Sequence, residues 1–393
     1  MKGEILLKKE RYEALDVLRG LTMVIMAIDH SRDFLGLGFV FSAPLDLSVT
    51  NFEVFMTRWV THFAAPVFMF LAGIGLYFAS SRRTKNELAF LAASRGLWLI
   101  FLELTLVGFF WSFSPDFYYK PKVAVLFAIG VSMLFMAFLV YLPKWLIAII
   151  SLTLILTHNA FDTLHASQFG EYGWIWHLLH EPGTINLFGI NIRVIYSFVP
   201  WIGVMALGYL FGPITKMPKE KRKKIFLGTG LAMLSVGFFL RLTNTYGDSQ
   251  LYTQQDSFLF TIMSFLNITK YPPSLLYLFF MLGIAMILMN LFDRKLGSWS
   301  KPLEIFGRVP FFFYILHIPL LHIFGIILAM ITFGNADWLM QTPVGPNPPE
   351  YSYTYELLPT YAAWALVIVL LYYPSKWFAN LKTTRKDWWL SYF

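Results

Sequence analysis

The chain has no cysteine, and only 14% of its 393 residues are charged. The first absence excludes disulfides and thiolate chemistry. The second excludes an ordinary soluble domain, in which about a quarter of residues carry charge. Three motifs are missing as well: no HExxH for zinc, no GxSxG for a serine nucleophile, and no P-loop for phosphates. No close His, Asp and Glu set has ligand spacing on one helix face, so no metal is expected. The first residues, "MKGEILLKKERYEALD", lack the apolar core and small-residue cleavage site of a secretory signal. No fixed-period repeat and no low-complexity tract breaks the sequence.

What is there is apolar: 57% of residues are hydrophobic and 19% aromatic. A spanning helix needs about 20 largely apolar residues. Ten segments qualify, approximately 14–36, 61–80, 88–113, 123–141, 144–160, 194–213, 225–242, 273–292, 303–332 and 360–378. The expected architecture is therefore an all-α polytopic membrane protein, residues 1–393 forming one integral-membrane domain. With the N-terminus inside, inner loops hold 21 of the 31 Lys and Arg residues and outer loops hold five. That asymmetry follows the positive-inside rule and puts both termini in the cytoplasm. The basic run "KMPKEKRKK" (216–224) then reads as topology and anionic-lipid contact, and the net charge of +8 calls for no nucleic acid. The long outer loops, such as "HASQFGEYGWIWHLLHEPGT" and "TPVGPNPPEYSYTYE", are rich in aromatic and hydrogen-bonding residues. Such faces hold sugars, although an interfacial aromatic belt has the same composition.

Charged side chains in the hydrocarbon region cost a few kcal/mol each and usually face a cavity or a partner. They are therefore the informative set. In "LDVLRGLTMVIMAIDHSRDFLG" (15–36), Asp16 and Arg19 lie near the inner face. His30 is 14 residues past Asp16, roughly 21 Å further along a helix. His62 starts the second segment from outside, and the hairpin brings it toward His30. His317 is 14 residues past Leu303, again roughly 21 Å outward. Pro310 and Pro319 interrupt the hydrogen-bond ladder of that segment, as in helices that line a cavity. "NITKYPP" (267–273) carries Lys270 and Tyr271 to the outer entrance of the next helix. Asp29, His30, His62, Lys270 and His317 thus share an outer depth. The plainer alternative for Asp29, His30, Arg32 and Asp33 is a helix-end polar network that only anchors the hairpin.

The opening helix resembles the first transmembrane segment of the heparan-α-glucosaminide N-acetyltransferase-like family, and its "LDxLRG" start is similar to the broader membrane acyltransferase-3 group. There an Arg near the start is paired with a His late in the helix, the places of Arg19 and His30 here. Three more blocks are similar to bacterial members: "TRWVTHFAAPVFMFLAGIGLYF" (57–78), "ITKYPPSLLYL" (268–278) and "FGRVPFFFYILHIPLLH" (306–322). The resemblance implies a transferase that takes acetyl-coenzyme A from the cytoplasm and acetylates a sugar on the opposite face of a bacterial inner membrane. The family's lysosomal member uses an Asn late in this helix and a His some residues later. Asp29 stands at the Asn position. Ungapped counting puts the His at Val40, and His30 is the nearest histidine.

Together these readings give a set of expectations. Arg19, Arg95 and Arg308 form a basic inner entrance for the nucleotide phosphates of acetyl-coenzyme A. The pantetheine arm runs between the helices. His30 and Asp29 are the candidate catalytic residues, with His30 as general base toward an amine or hydroxyl. His62, Lys270, Tyr271, His317, Arg32 and Asp33 are the candidate acceptor contacts. The expected partners are acetyl-coenzyme A, a saccharide and the lipid bilayer, and a homodimer is left open. A proton-coupled transporter for a small anion or sugar would need the same buried charges. A structural or assembly subunit of a glycan export system would tolerate mutation of His30 and His317 together.

Overall fold

The computed structural model describes residues 12–36, 43–341, 357–385 and 387–392. Val40 and the "TPVGPNPPEYSYTYE" loop lie outside these residues, as does the basic N-terminal stretch. Among the described residues, seven helices are long and apolar enough to cross a membrane, and Val125–Leu139 is a shorter apolar one. The protein is a multi-pass helical membrane protein.

The first helix, α1, spans Glu13–Leu35, with Glu13 and Asp16 in its first turn and Arg32 in its last. Those charges complement the helix macrodipole at both ends. Their number sets α1 apart from the seven apolar helices. It packs against Ser300–Arg308, Pro310–Phe333, Leu358–Thr384 and Ala64–Ser80, and so runs through the middle of the bundle.

Two motif glycines set the closest of these contacts. A Cβ on Gly20 would lie 1.8 Å from the Leu303 carbonyl oxygen, and one on Gly307 would lie 1.8 Å from that of Asp16. Only glycine lets the backbones of α1 and Ser300–Arg308 approach this closely. The "LDVLRG" and "FGR" blocks are thus two halves of one crossing. Arg19 seals it by donating to the Gly307 carbonyl at 2.9 Å.

Three segments differ from the hydropathy reading. The helix expected from residue 61 begins nine residues earlier, at Phe52, where the Asn51 side chain accepts the Val54 N–H. Phe52–Thr61 is amphipathic, so a hydropathy window averages it away, and Arg58 sits on a helix rather than in an outer loop. The 303–332 segment is two helices meeting at Val309 before Pro310, whereas Pro319 lies inside the unbroken Pro310–Phe333 helix. Proline has no N–H for the ladder, but in a bundle its neighbours re-satisfy the freed carbonyl. Third, the connecting segments are not wholly irregular. They hold a small sheet in the order β1 (Lys122–Val123), β3 (Ile190–Val194), β2 (Gly183–Leu187). β1 runs parallel to β3, with Lys122 opposite Arg193.

Candidate active site

A cavity of about 820 Å³ runs along α1. Arg19, Arg95, Arg308, Lys382 and Tyr392 line one end. Met23 and Met26, about one and two turns beyond Arg19, line the middle. Asp29, His30, Asp33, Arg58, Lys122, Lys270 and Tyr271 line the other end. From Arg19 to His30 is roughly 16 Å along the helix axis. The cavity thus carries charged residues at both ends, with Met23, Met26 and Glu103 in its wall between them.

At the far end His30 is walled by rings. Trp111 meets it edge-on at 5.0 Å between centroids, and Tyr314 does so at 6.2 Å. Behind it, His30 Nδ1 lies 2.7 Å from His317 Nε2, and His317 Nδ1 lies 3.2 Å from the Phe313 carbonyl. His317 itself is fully buried and does not reach the cavity wall. The two helices bring these histidines together because each carries its ring the same axial distance from the Gly20–Gly307 crossing region, a consequence of a fixed rise per residue.

Asp29 is not a free carboxylate. One oxygen accepts from Arg32 at 3.0 Å and the other from Arg58. Arg32 also bonds Asp33 at 2.7 Å. The helix-end network is real, and it holds the cations at the rim of the cavity. Lys270 and Tyr271 reach that rim from a loop pinned by Asp248. The Asp248 carboxylate accepts the Thr269 N–H at 2.9 Å and the hydroxyls of Thr269 and Ser274 at 2.6 and 2.7 Å. The Lys270 ammonium lies 5.2 Å from the Tyr271 ring centroid.

His62 is elsewhere. Fully buried at the Thr61–Ala64 junction, it packs edge-on to Tyr277 at 5.6 Å and does not line the cavity. Neither of its ring nitrogens has a hydrogen-bond partner among the described residues.

Several cavity residues were not singled out from sequence. Lys122 comes in on β1, its ammonium 5.8 Å from the Trp111 ring centroid. Burial chiefly, and then the charge of Arg193 opposite, hold that ammonium below the ordinary lysine range, against the pull of Asp33 and Glu103. Glu103 opens a π turn, Glu103–Val107, within the long Lys85–Ser112 helix. Its carboxylate accepts the Leu126 N–H at 2.9 Å and so caps the Val125–Leu139 helix from a neighbouring element. Lys122, Arg193 and Tyr271 also line a second cavity of about 570 Å³, whose wall includes Lys120, Gly183 and Thr184. Among the described residues, no group of three or more His, Asp or Glu side chains is placed to hold a metal ion.

Long apolar helices around an interior cavity lined by charged residues define a multi-pass membrane protein. The family can be stated more narrowly. Residues 11–252 match the model of the heparan-alpha-glucosaminide N-acetyltransferase catalytic family, and the chain belongs to that family. It is thus a transferase of the acyltransferase type. The match covers more than half the chain, including α1 and the 57–78 block, and ends before the 268–278 and 306–322 blocks. No curated protein matches the chain.

Proposed function

We propose that the protein transfers an acetyl group from cytoplasmic acetyl-coenzyme A to an amino or hydroxyl group of a sugar at the opposite membrane face. The observation that carries this reading is that one cavity is lined by Arg19, Arg95 and Arg308 at one end and by His30 at the other. Coenzyme A is too polar to cross lipid, but its pantetheine arm is long and thin. A basic mouth holding the phosphates and the stretch past Met23 and Met26 admitting the arm match those two parts of the donor. In this reading the Arg19 end is cytoplasmic, as the distribution of basic loops supports.

The acceptor approaches by the Lys270, Tyr271 and Asp33 rim, through the neighbouring cavity. Its nitrogen or oxygen bonds to the acetyl carbonyl carbon, the carbon–sulfur bond breaks, and His30 takes the acceptor's proton. General-base help of this kind is typically worth about 10²–10⁴-fold. Asp29, bound to Arg32 and Arg58, fixes the cations that line the acceptor's path. His62 stands off the cavity and His317 behind His30, so neither is assigned direct contact with the acceptor. Family membership favours group transfer over ion-coupled transport.

The test is to incubate the purified protein with acetyl-coenzyme A and follow free thiol, with and without glucosamine. Acceptor-dependent thiol release is expected, and His30→Ala should abolish it. Wild-type release by His30→Ala would remove His30 from the chemistry. No release with any sugar acceptor would remove the reading.

A further inference from the structure

Resting on the role just given to His30, we propose that His317 is its positioning residue and fixes which ring nitrogen of His30 carries the proton. The Phe313 carbonyl fixes the first link. An oxygen there can only accept, so His317 Nδ1, 3.2 Å away, carries a hydrogen. A neutral imidazole has one N–H, so His317 Nε2 is a bare acceptor. His30 Nδ1, 2.7 Å from it, must then be the donor. The proton of neutral His30 is thereby committed to Nδ1, and its Nε2 keeps a lone pair.

Geometry supports each link. The two imidazole planes are inclined by 17°, and a centroid separation of 4.9 Å with a nitrogen–nitrogen contact of 2.7 Å puts both nitrogens on the line between the rings, so the contact runs in the ring planes, where N–H bonds and lone pairs point. His317 cannot turn away: it is fully buried, with the rings of Phe313 and Tyr314 at 5.3 and 5.4 Å. His30 Nε2 has no hydrogen-bond partner among the described residues, and His30 lines the cavity. The three-member chain from carbonyl to His317 to His30 therefore leaves one basic nitrogen for the cavity. An unsupported imidazole would divide itself between two tautomers and several orientations. The partner of the second nitrogen is what normally decides this in working histidines.

Two variants separate positioning from packing. His317→Phe keeps a flat ring but has no acceptor, and His317→Gln keeps a side-chain oxygen that can accept from His30. With ring-¹⁵N-labelled histidine, wild-type His30 should show a protonated Nδ1 and an unprotonated Nε2. His317→Phe should lose that single pattern, and its kcat should fall roughly tenfold to a hundredfold with the KM for acetyl-coenzyme A unchanged. His317→Gln should recover most of the loss. A wild-type His30 protonated at Nε2 would overturn the inference, as would an undiminished kcat in His317→Phe. So would equal losses in the two variants. The nitrogen spectrum of the wild-type protein needs no turnover. It therefore judges the positioning claim even where the acetyl-transfer assay fails.

Discussion

Gly20 and Gly307 place two helix backbones in direct contact, each glycine facing a carbonyl oxygen of the other segment. A methyl group at either site would sit 1.8 Å from that oxygen. Gly20→Ala should therefore push α1 away from Ser300–Arg308 and cost about 1–3 kcal/mol, as overpacking does. Thermal unfolding in detergent would read it. An unchanged midpoint would mean that the crossing is looser than described.

Asp29 joins Arg32 and Arg58, and all three side chains are largely buried. Asp29→Asn keeps the shape and removes the charge both guanidiniums face. Breaking a buried pair from one side costs about 3–5 kcal/mol. Arg32 retains Asp33, so the lower end of that range is expected, with acetyl transfer falling alongside. Adding Arg58→Gln should recover part of the stability. Full activity in Asp29→Asn would show that the carboxylate's charge has no part in the reaction.

Arg241 is almost wholly buried and spends its guanidinium on main-chain carbonyls. It donates to Phe265 at 2.9 Å, Ser264 at 2.8 Å and Asn267 at 2.6 Å, and also to Gln250. Hydrogen bonds from a charged group contribute about 1.5–3 kcal/mol each. Arg241→Met should therefore cost several kcal/mol in all, and chemical denaturation would show a lower midpoint. The Lys270 loop follows directly after these carbonyls. Proteolysis near residues 250–270 should become faster in the variant, and unchanged protection there would contradict this account.

Lys122 gives a pH dependence. Burial and Arg193 disfavour its ammonium form in the folded protein, so its folded pKa lies below its unfolded one. Below the folded value both states carry the proton, and the fold bears the full cost. As pH rises from the folded value toward the unfolded one, near 10.4 for a free lysine, the folded side chain releases its proton first. The cost then disappears, so this site adds stability with rising pH. Lys122→Met should raise the unfolding midpoint near neutral pH and lose that advantage at about pH 10. A constant difference across that window would exclude the charge as its cause.

How much of this could be read in the sequence depends on the kind of signal each residue leaves. Arg19, Asp29 and His30 stood out because a charge inside an apolar run has few benign explanations. Arg95 and Arg308 did so for the same reason. His317 was placed at the right depth by counting residues, since the helical rise is constant, but its role behind His30 depends on which way its helix is rotated. Arg58 was hidden by an amphipathic helix that hydropathy averages into loop. Lys122 and Trp111 were invisible for another reason. A two-residue strand and the end of a distorted helix bring them in, and neither leaves a periodic pattern. His62 was legible as a buried polar residue, yet only packing decides that it faces Tyr277 and not the cavity.

The π turn at Glu103 has an effect on angular phase. Leu99, Glu103 and Trp111 all line the cavity. Over the twelve residues from Leu99 to Trp111, a uninterrupted α-helix would carry the second side chain about 120° around the axis. One extra residue absorbed in a wider turn brings that angle back to about 20°. The helix is thus reset in mid-course, and the aromatic wall beside His30 depends on that reset. A one-residue deletion between Leu104 and Leu106 would leave a plain α-helix with Trp111 still on the wall, whereas straightening the turn with every residue kept would swing Trp111 off it.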